Sequence, residues 1–141
     1  MIVTEHVELV PATVESVQAA LKGEKALAAA LHVSIPPTWP HEFLDRAALE
    51  YTLTRLKTGT GQAGWWLYFV VLPRIPAGRT LIGSAGYKGP PSADGTVEVG
   101  YGIVQDHRRH GYASESVRGL LRKAFTEPTV RRVIAETFPE L

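Results

Sequence analysis

The chain has 141 residues, 45% hydrophobic and 21% charged. That fits one globular domain spanning 1–141, able to bury about 68% of its unfolded surface, and leaves no room for a multi-domain machine. Fifteen Lys and Arg against fourteen Asp and Glu leave a formal charge of +1, too balanced for a general nucleic-acid or anionic-membrane binder, so any anionic ligand has to be held locally.

Cysteine is absent, which removes disulfides, iron–sulfur clusters, thiolate zinc sites and thiol nucleophiles. The N-terminal stretch MIVTEHVELVPATVES lacks the basic and apolar regions of a signal peptide. The longest apolar run, Trp65 to Leu72, falls far short of the ~20 residues that span a bilayer, so a cytoplasmic location is expected.

In chain order, His6 to Val10 reads as a short strand running into Pro11-Ala-Thr, a first helical turn with proline near its start. Val14, Val17, Ala20 and Leu21 then recur at helical spacing. Glu24 to Leu31 is an Ala-rich second helix that stops before Pro36-Pro37. From His41 to Lys57, the residues Phe43, Leu44, Ala47, Ala48, Tyr51, Leu53 and Leu56 trace the stripe of a third helix. Trp65 to Leu72 (WWLYFVVL) is continuous, aromatic and β-branched between Gly64 and Pro73, as a strand covered on both faces should be. Thr80 to Tyr87 is the next strand. The turn formers from Lys88 to Gly95 and the alternation from Thr96 to Val104 predict an antiparallel hairpin. Gly111 to Phe125 is the clearest helix, apolar at Ala113, Val117, Leu120, Leu121, Ala124 and Phe125, and Arg131 to Thr137 is a last strand.

Three patterns carry less than they suggest. Gly59 to Gly64 (GTGQAG) fits a dinucleotide-binding fingerprint, but it runs from helix to strand, whereas that site needs strand to helix. His107 and His110 would need Asp106 to complete a metal site, and no metal is expected; His41-Glu42 lacks a zincin's second histidine. Ser84 sits on a strand outside any nucleophile elbow and reads as a buried or edge hydroxyl.

Val97 to Ser116 (VEVGYGIVQDHRRHGYASES) reads as strand, short basic loop and helix start. This order sets unpaired backbone N–H groups and the positive end of a helix dipole just beyond a strand's C-terminal end, a candidate anion cradle. Gly111 permits a backbone that a side chain would block, Ala113 keeps the first turn small, and Arg108 and Arg109 can grip phosphate oxygens.

Arg108-x-x-Gly111-x-Ala113 resembles the pyrophosphate-binding signature of the GNAT superfamily of N-acetyltransferases. Glu98-Val-Gly-Tyr101, Gly111-Tyr-Ala-Ser-Glu-Ser116 and Arg132-Val-Ile-Ala-Glu-Thr137 are similar to its RimJ/RimL-like branch. The resemblance runs along the whole chain and is strongest from Gly83 to Thr137. It implies an α/β (α+β) fold with a mixed, mostly antiparallel sheet flanked by helices. It also implies acetyl-CoA as acetyl donor, an amine acceptor (a protein N-terminus or a small molecule), direct attack on the thioester, and neither a nucleic-acid nor a membrane partner. The backbone of Ile103, Val104 and Gln105 would pair with pantetheine. The N–H groups of Arg109, His110, Gly111, Tyr112 and Ala113 would hold the pyrophosphate with Arg108 and Ser114, and Glu98 would take the acceptor's proton. A backbone N–H of the splayed strand would polarise the carbonyl. Family domains continue with another helix and two strands, which carry a general-acid tyrosine, so the fold is expected to lack these and to cover its last strand in a homodimer. A truncated, weakly active or inactive CoA-binding module is the second reading.

Overall fold

In a computed structural model of the chain, the described residues are 1–41, 44–59, 64–73 and 78–135. The chain order is β1 (Ile2–Val3), β2 (Glu8–Pro11), α1 (Val14–Lys22), α2 (Glu24–Leu31), α3 (Arg46–Thr58), β3 (Leu67–Leu72), β4 (Thr80–Tyr87), β5 (Thr96–Ile103), a 3₁₀ turn (Gln105–His107), α4 (Tyr112–Ala124) and β6 (Arg132–Ala135). The strands form one six-stranded sheet in sequence order, antiparallel except for the parallel β5–β6 pair. This is the mixed α/β arrangement expected from the sequence.

The element starts follow local chemistry. Pro11 closes β2 instead of opening a helix, and Thr13 is the true cap of α1: its hydroxyl accepts from Ser16 N–H while Ser16 returns a bond to Thr13 N–H. Gly23, at φ 142°, ends α1 and starts α2. The third helix begins at Arg46, not His41, because Asp45 caps it through Ala48 N–H, and because His41 and Leu44 are spent as buried contacts before it. Phe43, the centre of the GTGQAG segment and the end of the last predicted strand, Glu136-Thr137, lie outside the described residues. The two-residue β1 has too little pattern to be read from sequence.

The sheet separates two sides. On one, Val97, Val99 and Ile103 are buried, and Tyr87, the partner of Val99, donates from its hydroxyl to Leu120 O of α4 at 2.7 Å. Strand alternation turns Glu98, Gly100 and Gly102 to the other side with Ser84, the partner of Gly102. There Trp39, in the segment between α2 and α3, meets Phe69 of β3 at 6.5 Å between ring centroids. A Cβ at Gly83 would stand 2.2 Å from Gly102 O, so only glycine lets β4 and β5 approach this closely. No described helix is long and apolar enough to cross a membrane.

Candidate functional site

Hydrogen-bond parity decides which groups of β5 are free. Lys88 N–H donates to Glu98 O and Val104 N–H to Ile82 O, each at 2.8 Å, and the β4–β5 register between them is continuous. In an antiparallel ladder, the even-numbered residues of β5 therefore point their backbone groups at β4, and the odd-numbered ones point away. Among the described residues, β6 pairs with Thr96–Val99. Beyond Val99 the backbone groups of Tyr101 and Ile103 face an edge that no described strand occupies. Arg108 Nε donates to Ile103 O at 2.8 Å, so the Ile103 N–H and both Tyr101 groups are what that edge offers a ligand.

Of the three residues expected to line pantetheine, Val104 is thus committed within the chain: its N–H to Ile82 and its carbonyl to His107 N–H at 3.0 Å. Gln105 opens the 3₁₀ turn, and its carbonyl accepts from Arg108 N–H at 3.3 Å. The sequence does not single out Tyr101, because ladder parity cannot be read from residue types.

The open edge runs directly into the start of α4. Gly111 is its cap residue at φ 80°, in the left-handed region, and no side chain bonds the first turn, in contrast to the Thr13 and Asp45 caps of α1 and α3. Arg109 is also left-handed at φ 67°, unusual for a residue with a side chain, and this turns successive N–H groups into a concave row. Open space surrounds the Cβ position of Gly111. Arg108, Arg109, His110 and Ser114 are exposed, and the His110 ring stacks on Tyr112 at 5.4 Å. The Nδ1 of His107, beside this turn, is buried without a hydrogen-bond partner. Arg108 to Ser114 thus run consecutively from the 3₁₀ turn through the cap into the first turn of α4, a stretch whose backbone donors and basic side chains suit a pyrophosphate in charge. No group of three His, Asp or Glu residues among the described residues could hold a metal ion.

Glu98 lies earlier on β5, on the face of Gly100 and Gly102. Its Oε2 is 2.7 Å from Lys88 Nζ, and its side chain is 26% exposed. The Lys88 stem passes over Gly100, 3.7 Å from where a Cβ would be. The Lys88 stem and the His41 ring lie over the side-chain-free positions of Gly100 and Gly102 on this face, and Glu98 Oε1 has no hydrogen bond among the described residues.

Glu115, in the first turn of α4, has another task. Burial alone would raise its pKa, but hydrogen bonds from the Thr4 hydroxyl, His6 N–H and the His6 ring outweigh that and bring it from an ordinary 4.5 down to about 2. It ties α4 to the N-terminal strands and does not face the cradle.

A family model described as the acetyltransferase (GNAT) domain matches residues 7–140. The uncharacterized N-acetyltransferase YjdG of Bacillus subtilis is 29% identical over 98 residues, 69% of this chain and 55% of its own length. The uncharacterized N-acetyltransferase p20 of Bacillus licheniformis is 33% identical over 60 residues, 43% of this chain and 34% of its own. The chain spans about half the length of the first and a third of the second. Among solved structures, a GNAT-family acetyltransferase from Bacillus anthracis superposes with TM-score 0.57 at 20% identity, covering 99% of this chain and 74% of that one. A Salmonella typhimurium acetyl transferase that modifies the N-terminal serine of ribosomal protein L7/L12 gives 0.58 at 14%, with 94% and 71% covered. RimL bound to coenzyme A gives 0.59 at 18%, with 94% and 71% covered. At these identities the structures speak for the fold alone, and the family model speaks for descent: the chain belongs to the GNAT acetyltransferase family.

Proposed function

We propose that the chain binds acetyl-CoA and transfers its acetyl group to a primary amine, an α-amino group of a protein or a small molecule, in the cytoplasm. The observation that carries this reading is the continuity of the open β5 edge with the uncapped N-terminus of α4. One surface thereby offers hydrogen bonds to an extended amide-bearing chain and, further on, a row of donors to a pyrophosphate. Pantetheine lies along Tyr101 and Ile103, and the donors of Arg109 to Ala113 take the phosphates, with Arg108 and Ser114 at the rim. The Arg108 bond to Ile103 O ties the two halves of the site together.

The thioester then lies at the β5 edge near Glu98. A neutral amine attacks the carbonyl carbon, the C–N bond forms, and an edge N–H of β5 stabilises the charge that builds on oxygen. Glu98 takes the proton from the nitrogen, the C–S bond breaks, and the coenzyme A thiolate is protonated from solvent. Lys88, paired with Glu98, holds that side chain in place on the face of β5. Exposed Ile134 on the edge strand β6 supports a homodimer that covers it.

The test is thiol release from acetyl-CoA with a panel of peptide and small-molecule amines. Turnover that Glu98→Gln lowers about 100-fold or more, with acetyl-CoA binding retained, is expected of a general base. Binding without turnover on any acceptor would favour the inactive module instead.

A further inference from the structure

One buried titratable side chain lies against the acyl-donor edge with no part in the chemistry above. His41 is 5% exposed, and its Nε2 is 2.6 Å from Oγ of Ser84, itself 4% exposed. Its ring lies directly on Gly102, where a Cβ would meet Nδ1 at 2.4 Å and Cε1 at 2.5 Å. Ser84 and Gly102 are register partners, so a single imidazole covers both members of one β4–β5 pair. The segment that delivers the ring is itself fixed. Trp39 stands edge-on to His41 at 6.5 Å while packing on Phe69. Thr38 Oγ1 donates to Asp106 Oδ2, in the 3₁₀ turn that leads to the cradle, at 3.3 Å.

The contact matters because of what flanks Gly102. The peptide unit before it carries the Tyr101 carbonyl and the one after it carries the Ile103 N–H, both directed at the open edge by the parity described above. Glycine has no side chain to hold its own peptide planes and is the residue with most backbone freedom to lose. A rotation at Gly102 re-aims both groups at once.

We propose that His41 is a positioning residue for acyl transfer: its ring, locked by Ser84 and Trp39, clamps Gly102 so that the Tyr101 carbonyl and the Ile103 N–H stay aimed at the acyl donor. The proposal rests on the reading that this edge takes acetyl-CoA. It gives His41, which does not touch the reacting atoms, a role distinct from that of a core filler, because the effect is read in donor affinity and not in stability alone.

The experiment compares wild type with His41→Ala, His41→Gln, Ser84→Ala and Gly102→Ala, well below each melting temperature. The measurements are the acetyl-CoA Kd by calorimetry, KM and kcat by thiol release, and amide hydrogen exchange of the free protein. His41→Ala should raise Kd and KM for acetyl-CoA about tenfold and speed exchange at Gly102 by a similar factor, with Val70 and Val71 unchanged. Glutamine, which can reach the Ser84 hydroxyl from the same place, should restore most of the affinity. Gly102→Ala, which pushes the ring away, should match His41→Ala, and the double variant should lose little more, since both break one contact. If His41→Ala does not fold, His41→Gln and Ser84→Ala carry the comparison, the first near wild type and the second weakened. Variants whose Kd, KM and Gly102 exchange stay within twofold of wild type overturn this proposal alone. A wild-type protein that binds no acetyl-CoA overturns the reading beneath it, and the proposal with it.

Discussion

Two glutamates show how placement divides one chemistry into two tasks. Glu98 is paired through one oxygen with Lys88 and is partly exposed, whereas Glu115 is enclosed by donors from Thr4, His6 and Val7. Because the folded pKa of Glu115 is lowered to about 2 from 4.5, its contribution is fully present above the unfolded value and is lost as pH falls through the folded one. That contribution is about 3 kcal/mol. The His6 ring shifts the other way: its hydrogen bond to Glu115 raises its pKa from 6.5, so its share is present below that value and fades as pH rises through the raised one. Glu115→Gln should therefore lower stability at pH 7 by about 2–4 kcal/mol. It should also flatten the stability loss between pH 4.5 and pH 2, as read by denaturant titration across that range. The proposed cradle could be drawn from the sequence because the spacing of Arg108, Gly111 and Ala113 matches a local strand-loop-helix backbone. His41 was not, because a lone histidine has no spacing to betray it and its contacts come from strands more than forty positions away.

At the scale of elements, runs with strong local chemistry could be read almost to the residue, as β4 and the Ala-rich α2 show. Boundaries failed where a residue had a better tertiary use than its local pattern suggested. The expected helix opens at His41 with Leu44 in its apolar stripe, but both are drawn down into the core, leaving Asp45 to cap. The open edge at Tyr101 and Ile103 is expected only through family resemblance, since ladder pairing between strands distant in sequence leaves no local pattern. The same edge geometry bears on assembly. β6 is narrow in contact, its outer side pairs with no described strand, and Ile134 is 46% exposed. Sedimentation at micromolar concentration should show a dimer that Ile134→Lys shifts to monomer, since a charge on an edge strand discourages pairing. A wild-type monomer would remove the homodimer from the account.

For the molecule as a whole, near-neutral charge and a specific anion site are compatible because the positive field is local. Four first-turn donors, a helix dipole and two arginines act over a few ångströms and require no basic surface. The most direct measurement is calorimetric titration with acetyl-CoA of the wild type and of Gly111→Asp. Aspartate tolerates the left-handed backbone at Gly111 but sets a carboxylate where the proposed reading puts the phosphates. The account predicts one acetyl-CoA per chain, with affinity at least about tenfold weaker in the variant, equivalent to about 1.4 kcal/mol. No binding by the wild type, or equal binding by both proteins, would contradict it.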